Sequence, residues 1–116
     1  TTPLEILRET ASPSVIPPPQ HDLGQFTVNL SGTGRSSFMR TNIVVEVNDR
    51  RVLSEVRDRE IQLRDRVINI IRNYGPAQLA DASGYEALRE ELLNAMDREM
   101  LRGRITRVYF TEFVIQ

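Results

Sequence analysis

The chain has 116 residues, of which 40% are hydrophobic, enough for the core of one modest domain. Its formal net charge is −1, without the basic excess of a nucleic-acid-binding protein, so we expect no nucleic-acid partner. It contains no cysteine, which excludes a disulfide framework and a thiolate metal site. It also has no apolar run of about 18 residues, which excludes a membrane-spanning helix inside this sequence.

We predict that residues 1–25 form a proline-rich spacer and that residues 26–116 form the folded domain. Pro3, Pro13 and the run from Pro17 to Pro19 lack backbone donors and favour extended backbone, and the apolar residues between them are too few for a core. His21, the single histidine, has no neighbouring ligands, so no metal site is expected. We interpret the start at Thr1 as a processed or truncated chain whose membrane anchor lies upstream.

Two strands follow the predicted spacer. Residues 26–30 alternate apolar and polar, residues 32–36 read as a turn, and residues 38–47 contain a run of β-branched residues typical of a strand. We predict an antiparallel hairpin. The turn glycines lack the pattern of a phosphate-binding loop and precede a strand, so we expect no nucleotide site there.

A long charged helix is predicted to follow a turn at Asn48 and Asp49 and to end near Tyr74, before Gly75 and Pro76. Its apolar row has alternating spacings of three and four, and Glu60 interrupts it. Two outcomes are open for that carboxylate. Either the helix breaks near residues 58–60 and turns Glu60 outward, or Glu60 pairs with Arg57 or Arg64, because an unpaired buried carboxylate costs several kcal/mol.

The outer face of this helix alternates basic and acidic residues, and two interpretations stay open. One is a solvated helix face. The other is a surface through which copies associate by ion pairs, with these candidate residues: Arg50, Arg51, Arg57, Asp58, Arg59, Glu60, Arg64, Asp65 and Arg66.

The last third predicts a short helical turn, a second long helix and a strand. Pro76 begins the turn, which runs through Leu79, and residues 83–86 read as a capping box that begins the helix. Gly103 is expected to end this helix. Its predicted inner face comprises Leu88, Leu92, Ala95 and Met96.

The final strand, residues 104–116, is apolar on both faces, which predicts a position inside the sheet. The order strand, strand, helix, helix, strand indicates an α+β fold, a small antiparallel-rich sheet covered on one side by two longer helices.

Several short motifs, in this order and spacing, resemble the FliL family of flagellar basal-body-associated proteins from about residue 26 to the end. They are residues 26–30, 40–43 with 46–49, 62–65, 88–92 and, above all, the terminal run Tyr-Phe-Thr-Glu-Phe-Val-Ile-Gln at 109–116. The resemblance implies a role in bacterial motility and chemotaxis and an anchor in the inner membrane. It also implies a periplasmic domain similar to the stomatin-type (SPFH) fold. Its expected partners are other copies in a ring and the proteins of the ion-driven stator.

Catalytic chemistry lacks candidate residues. Inside the predicted domain no histidine or cysteine is present to pair with a serine or to act as nucleophile, and neighbouring carboxylates on a charged helix are usually solvated. We therefore expect a non-enzymatic scaffold without cofactor. The alternative is a small-ligand-binding or enzymatic α+β domain, which a deep pocket lined by convergent polar groups would favour. A membrane-surface module is disfavoured by the balanced charge.

Overall fold

The computed structural model describes residues 16–32 and 36–116, which form a three-stranded antiparallel sheet with four helices. In chain order the elements are β1 (Gln20–Asn29), β2 (Phe38–Val47), α1 (Val52–Asp58), α2 (Glu60–Ile71), α3 (Pro76–Ala80), α4 (Ala82–Asp97) and β3 (Ile105–Ile115). The strand order is β1-β2-β3, and both pairings are antiparallel. The α+β prediction is confirmed. Among the described residues, no helix combines the length and hydrophobicity that crossing a bilayer requires.

The central strand, β2, has the predicted bounds. Met39, Ile43, Val45 and Val47 alternate along it and are fully buried, together with Thr41. These side chains meet the inner faces of the helices, because period-two alternation puts every second residue on the same face of the sheet. The predicted inner face of α4, residues 88, 92, 95 and 96, is buried in the same core.

β1 begins at Gln20, six residues before the predicted start, so residues 20–25 belong to the sheet and not to a spacer. A bulge between Asp22 and Gly24 interrupts the alternation of apolar and polar residues, so the sequence pattern does not reveal this strand. Gly24 takes φ of +92°, a conformation that favours glycine, and the extra residue Leu23 enters the core at 1% exposure. The predicted spacer over residues 1–15 lies outside the described residues.

β3 is an edge strand, contrary to the prediction. In the part of the chain that the structure describes, it pairs with β2 alone. Register shifts at residues 106 and 111 explain the misleading pattern, because each bulge changes which face the following residues occupy. Phe110 and Phe113, three residues apart, thereby share one face and both contact the ring of Tyr85, with ring centroids 5.3 and 4.9 Å away.

The predicted long helix is broken at Arg59, which has φ of −106° and ψ of 16°. This confirms the first of the two outcomes foreseen for Glu60, whose side chain is 37% exposed. Its partner is not an arginine, since its Oε1 lies 2.9 Å from Nε2 of His21 on β1.

The helix boundaries around α3 and α4 differ from the prediction at two points. Pro76 begins α3 as expected, but the N-cap of α4 is Asp81, and the predicted capping box at residues 83–86 is wrong. The carboxylate of Asp81 accepts hydrogen bonds from Oγ and N–H of Ser83, which hold the pKa of Asp81 below its ordinary value. The pKa falls because an ionised carboxylate accepts these hydrogen bonds more strongly than a protonated one does.

Gly103 does not end α4, which stops at Asp97. A Cβ on Gly103 would lie 2.3 Å from Cγ2 of Val52, so this glycine lets the loop after α4 pass close to α1. Gly84 plays a similar role between α4 and α3, because a Cβ there would lie 1.9 Å from the backbone oxygen of Gln78.

Candidate interaction surfaces

The predicted charged face divides into residues that hold the domain together and residues that remain exposed. Arg64 belongs to the first group. Its guanidinium donates to the backbone oxygens of Leu23 at 2.6 Å and Gln25 at 2.8 Å, and it lies 3.9 Å above the Phe26 ring. The planar guanidinium thereby hydrogen-bonds two backbone carbonyls of β1, an edge strand, beside its bulge.

Four more of the predicted residues contact partners within the domain, three of them in ion pairs. Arg51 pairs with Asp49 at 3.0 Å, Arg59 with Glu55 at 3.3 Å, and Arg66 with Glu99 at 2.9 Å. Glu60 contacts His21, as described above. Of these pairs, the one formed by Arg59 has the most deeply buried carboxylate.

The remaining four residues are the exposed charges Arg50, Arg57, Asp58 and Asp65. Asp65 accepts one hydrogen bond, from Nδ2 of Asn69 at 3.3 Å. For Arg50, Arg57 and Asp58, the structure gives no hydrogen bond or ion pair of the side chain within residues 16–32 and 36–116. The uncommitted part of the predicted surface is therefore small and of mixed sign.

Glu55 was missed as a functional candidate, although it lies between Val52 and Val56 on the buried side of α1. The carboxylate is 5% exposed and accepts the N–H groups of Leu101 at 2.7 Å and Arg102 at 3.0 Å. Burial opposes its ionisation, but these two N–H groups and the Arg59 guanidinium outweigh burial and hold the pKa of Glu55 below its ordinary value. The sequence did contain a signal for this role, because Glu55 is an acidic residue among the apolar positions of α1.

The loop at residues 98–104 is fixed along its length. Glu55 holds its middle, Arg66 pairs with Glu99, and the backbone N–H of Arg104 donates to Oδ1 of Asn48 at 3.0 Å. At its tip, Leu101 is 79% exposed. A large apolar side chain is thus displayed on a backbone that buried and paired groups hold in place. We refer to this feature as the Leu101 tip.

A second surface feature, the terminal cleft, lies at the opposite end of the sheet. It has a volume of about 1070 Å³ and is lined by residues 31–32, 36–37, 75–78 and Gln116. These are small, apolar or neutral polar residues, and none of the described side chains in this lining titrates near neutral pH. Oγ of Ser37 is buried without a hydrogen-bond partner among the described residues. The described part of the lining therefore offers contact surface without an acid or base.

The uncovered face of the sheet carries a polar network. Glu46, 7% exposed, accepts hydrogen bonds from the Tyr109 hydroxyl at 3.0 Å and from Nε2 of Gln20 at 3.3 Å. The hydrogen bond to Glu46, together with burial, raises the pKa of Tyr109. Glu112 likewise bonds Gln25 and Arg40 across the three strands. These groups satisfy one another, and within the described ranges no set of three His, Cys, Asp or Glu side chains is placed to hold a metal ion.

Comparison with known proteins places the chain among flagellar proteins. A family model described as "Flagellar basal body-associated protein FliL" matches residues 21–116. The flagellar protein FliL of Aquifex aeolicus (strain VF5) is 36% identical over 91 residues, which cover 78% of this chain and 56% of that relative. The flagellar protein FliL of Bacillus subtilis (strain 168) is 25% identical over 95 residues, covering 82% of this chain and 66% of that relative. The chain thus matches between about half and two thirds of the length of these relatives.

Proposed function

The chain belongs to the FliL family of flagellar basal-body-associated proteins, and we propose that its folded domain is a non-enzymatic scaffold of the flagellar motor. Copies associate head to tail into a ring, and the ring supports the ion-driven stator. The observation that carries this proposal is the family membership, joined to exposed charges of both signs on α1 and α2.

The proposal includes a location. A membrane helix outside this sequence anchors the protein in the inner membrane, residues 1–15 act as a spacer, and the domain lies on the periplasmic side. The relatives are longer than the matched region, which leaves room for such segments. The fold is of the stomatin type in this proposal, with one face of the sheet covered by helices.

Contacts through the four exposed charges are weak. Exposed ion pairs contribute about 0–1 kcal/mol each, and salt screens them over about 10 Å at 0.1 M ionic strength. The isolated domain should therefore associate poorly in solution. Tethering to a membrane raises the effective concentration of neighbours and drives assembly without any new contact.

Charge reversal tests the interface. The double variant Asp58→Arg, Asp65→Arg should fold like the parent, because both side chains are exposed, but crosslink less in membranes and lower swimming speed under viscous load. Mixing it with the opposite variant, Arg50→Glu with Arg57→Glu, provides the matched control. Restored crosslinking in the mixture identifies ion pairs between copies. Reversed proteins that assemble and support motility like the parent would exclude this face as the interface.

A further inference from the structure

The two edges of the sheet differ in what occupies their backbone groups. On β1, the guanidinium of Arg64 donates to the oxygens of Leu23 and Gln25, so this edge is occupied beside its bulge. On β3, the carboxylate of Asp97 accepts the N–H of Ile105 at the first residue of the strand, at 2.9 Å. Beyond that residue, the structure gives no hydrogen bond from any described residue to the outer side of β3. We refer to this side, over residues 106–115, as the open edge.

The pairing of β2 with β3 shows which backbone groups point towards the open edge. Phe38 and Gln116 exchange two backbone hydrogen bonds, at 2.8 and 2.9 Å. In an antiparallel pair, such bonded positions alternate with positions whose N–H and C=O groups point away from the partner strand. Counted along β2 from residue 38, these alternate positions lie opposite Ile115, Phe113 and Val108. The backbone groups of these three residues therefore face the open edge.

A groove runs beside the open edge, between β3 and α4. On its helical side, Tyr85, Arg89 and Leu93 recur at intervals of four, so they share one side of α4, and all three are half-buried. At one end of the groove, the rings of Phe110 and Phe113 contact the ring of Tyr85. At the other end lies a pocket of about 240 Å³, lined by residues 86, 89–90 and 93 of α4 and residues 106–108 of β3.

We propose that β3 receives a fourth strand from another protein, an extended segment in which apolar residues alternate with polar ones and which contains no proline. The backbone groups at the open edge favour an extended polypeptide, because a neighbouring strand offers donors and acceptors at matching intervals. Every second side chain of such a strand faces the groove. There the half-buried side chains of Tyr85, Leu93 and Phe113 favour apolar contacts.

The pocket adds a polar contact at one end of this binding surface. Arg89 pairs with Glu86, whereas the exposed Glu90 makes no side-chain hydrogen bond or ion pair within the described residues. Arg107 is 65% exposed and lies 3.9 Å from Glu46, the longest of the ion-pair contacts between described residues. Charges of both signs are thus available to one polar side chain of the added strand. Main-chain bonds give such a complex its affinity, and pockets for alternate side chains give it specificity.

A second copy of this domain is a poorer source of the added strand. Its β2 is paired on both sides, and its β1 is occupied by Arg64 beside the bulge. Its β3 has register shifts at residues 106 and 111, so two β3 strands would have to pair through two irregular edges. The described strands of a second copy therefore offer no regular free edge, which favours a segment of a different protein.

Amide hydrogen exchange tests the open edge directly. In the parent alone, the N–H groups of Val108, Phe113 and Ile115 should exchange much faster than those of Tyr109 and Val114, which face β2. The probe is a soluble peptide in which valine and threonine alternate. Its addition should slow exchange at the three outward groups by about tenfold or more and leave the two inward groups unchanged.

Two matched controls separate strand addition from adhesion of an apolar peptide. A peptide of the same sequence, N-methylated at alternate amides on the pairing side, should not bind, because it lacks the donors. In the protein, Ile115→Pro removes one outward N–H at the end of β3 and should weaken peptide binding, whereas Ile115→Ala, which keeps the N–H, should bind more tightly than the proline variant. The N-methylated peptide carries the comparison alone if the proline variant does not fold.

Three results would overturn the proposal. The first is equal binding of the two peptides, and the second is no slowing at Val108, Phe113 and Ile115 at any soluble peptide concentration. The third is protection of these groups in the parent alone. Protection that rises with protein concentration would assign the open edge to a second copy, and constant protection would assign it to another part of the same chain. The surface uses none of the exposed charges on α1 and α2, so each outcome is independent of ring formation.

Discussion

Arg64 holds the bulged part of β1 through two backbone oxygens and the Phe26 ring. We predict that Arg64→Lys lowers the free energy of unfolding by about 1–3 kcal/mol, because one ammonium group cannot donate to both carbonyls while stacking on the ring. Urea unfolding at neutral pH measures this loss. Arg57→Lys, at an exposed position, is the control and should leave stability unchanged. Equal effects of the two substitutions would contradict the assigned role of Arg64.

Glu55 makes stability depend on pH in a defined direction. Its pKa is below the ordinary value of 4.5 in the folded state, so it binds a proton less readily there than in the unfolded chain. Its stabilisation is therefore complete above that ordinary value and is lost as the pH falls towards the folded pKa. Glu55→Gln should cost about 1–3 kcal/mol at pH 7, and the difference from the parent should shrink in acid.

The control for this prediction is Asp58→Asn, which removes an exposed carboxylate three residues away, at the last residue of α1. Its effect on the free energy of unfolding should be small. A difference between parent and Glu55→Gln that stays constant from neutral to acid pH would rule out ionisation of Glu55 as the source of the stabilisation.

Among the secondary-structure elements, α3 and α4 meet through a contact that glycine alone permits. A Cβ at Gly84 would lie 1.9 Å from a backbone oxygen of α3, so Gly84→Ala should destabilise the domain by about 1–3 kcal/mol through overpacking. Thermal unfolding measures the loss. Asn94→Ala, at an exposed position on α4, should be neutral or slightly stabilising because alanine favours helices. A Gly84→Ala protein as stable as the parent would show that the two helices separate without cost.

The sequence specifies the central elements well because their patterns are regular. β2 alternates without interruption, and the apolar positions of α4 recur at helical spacing, so the bounds of β2 and the inner face of α4 follow from periodicity alone. The edge strands are harder to predict. Bulges at Leu23, Thr106 and Thr111 shift the alternation, which makes β1 resemble a linker and β3 resemble a buried strand.

The candidate surface was predicted only in part, for a similar physical reason. A charged residue on a helix looks the same in sequence whether its partner is solvent, a distant strand or another molecule. Arg64 and Glu60 turn out to contact β1, which lies about 40 residues earlier in the chain. The Leu101 tip depends on Glu55 reaching a loop 46 residues later, a contact that no local pattern encodes.

At the scale of the whole molecule, the account requires a domain whose copies recognise each other weakly. The mixed exposed charges on α1 and α2 predict association that falls as salt screens the charges, and that depends strongly on tethering. The same features predict a monomer at low concentration in solution. Under the proposed function, we therefore expect assembly of the membrane-bound protein and not of the free domain.

The most direct test counts the copies in each assembly on a membrane. The chain, labelled at a single Thr2→Cys and held by an N-terminal tag on a supported bilayer, is followed by stepwise photobleaching at increasing surface density. We predict that the number of steps rises with density to one plateau above two, the mark of a closed ring, and falls at high salt. Single steps at every density, or step numbers that grow without a plateau, would contradict a closed head-to-tail assembly.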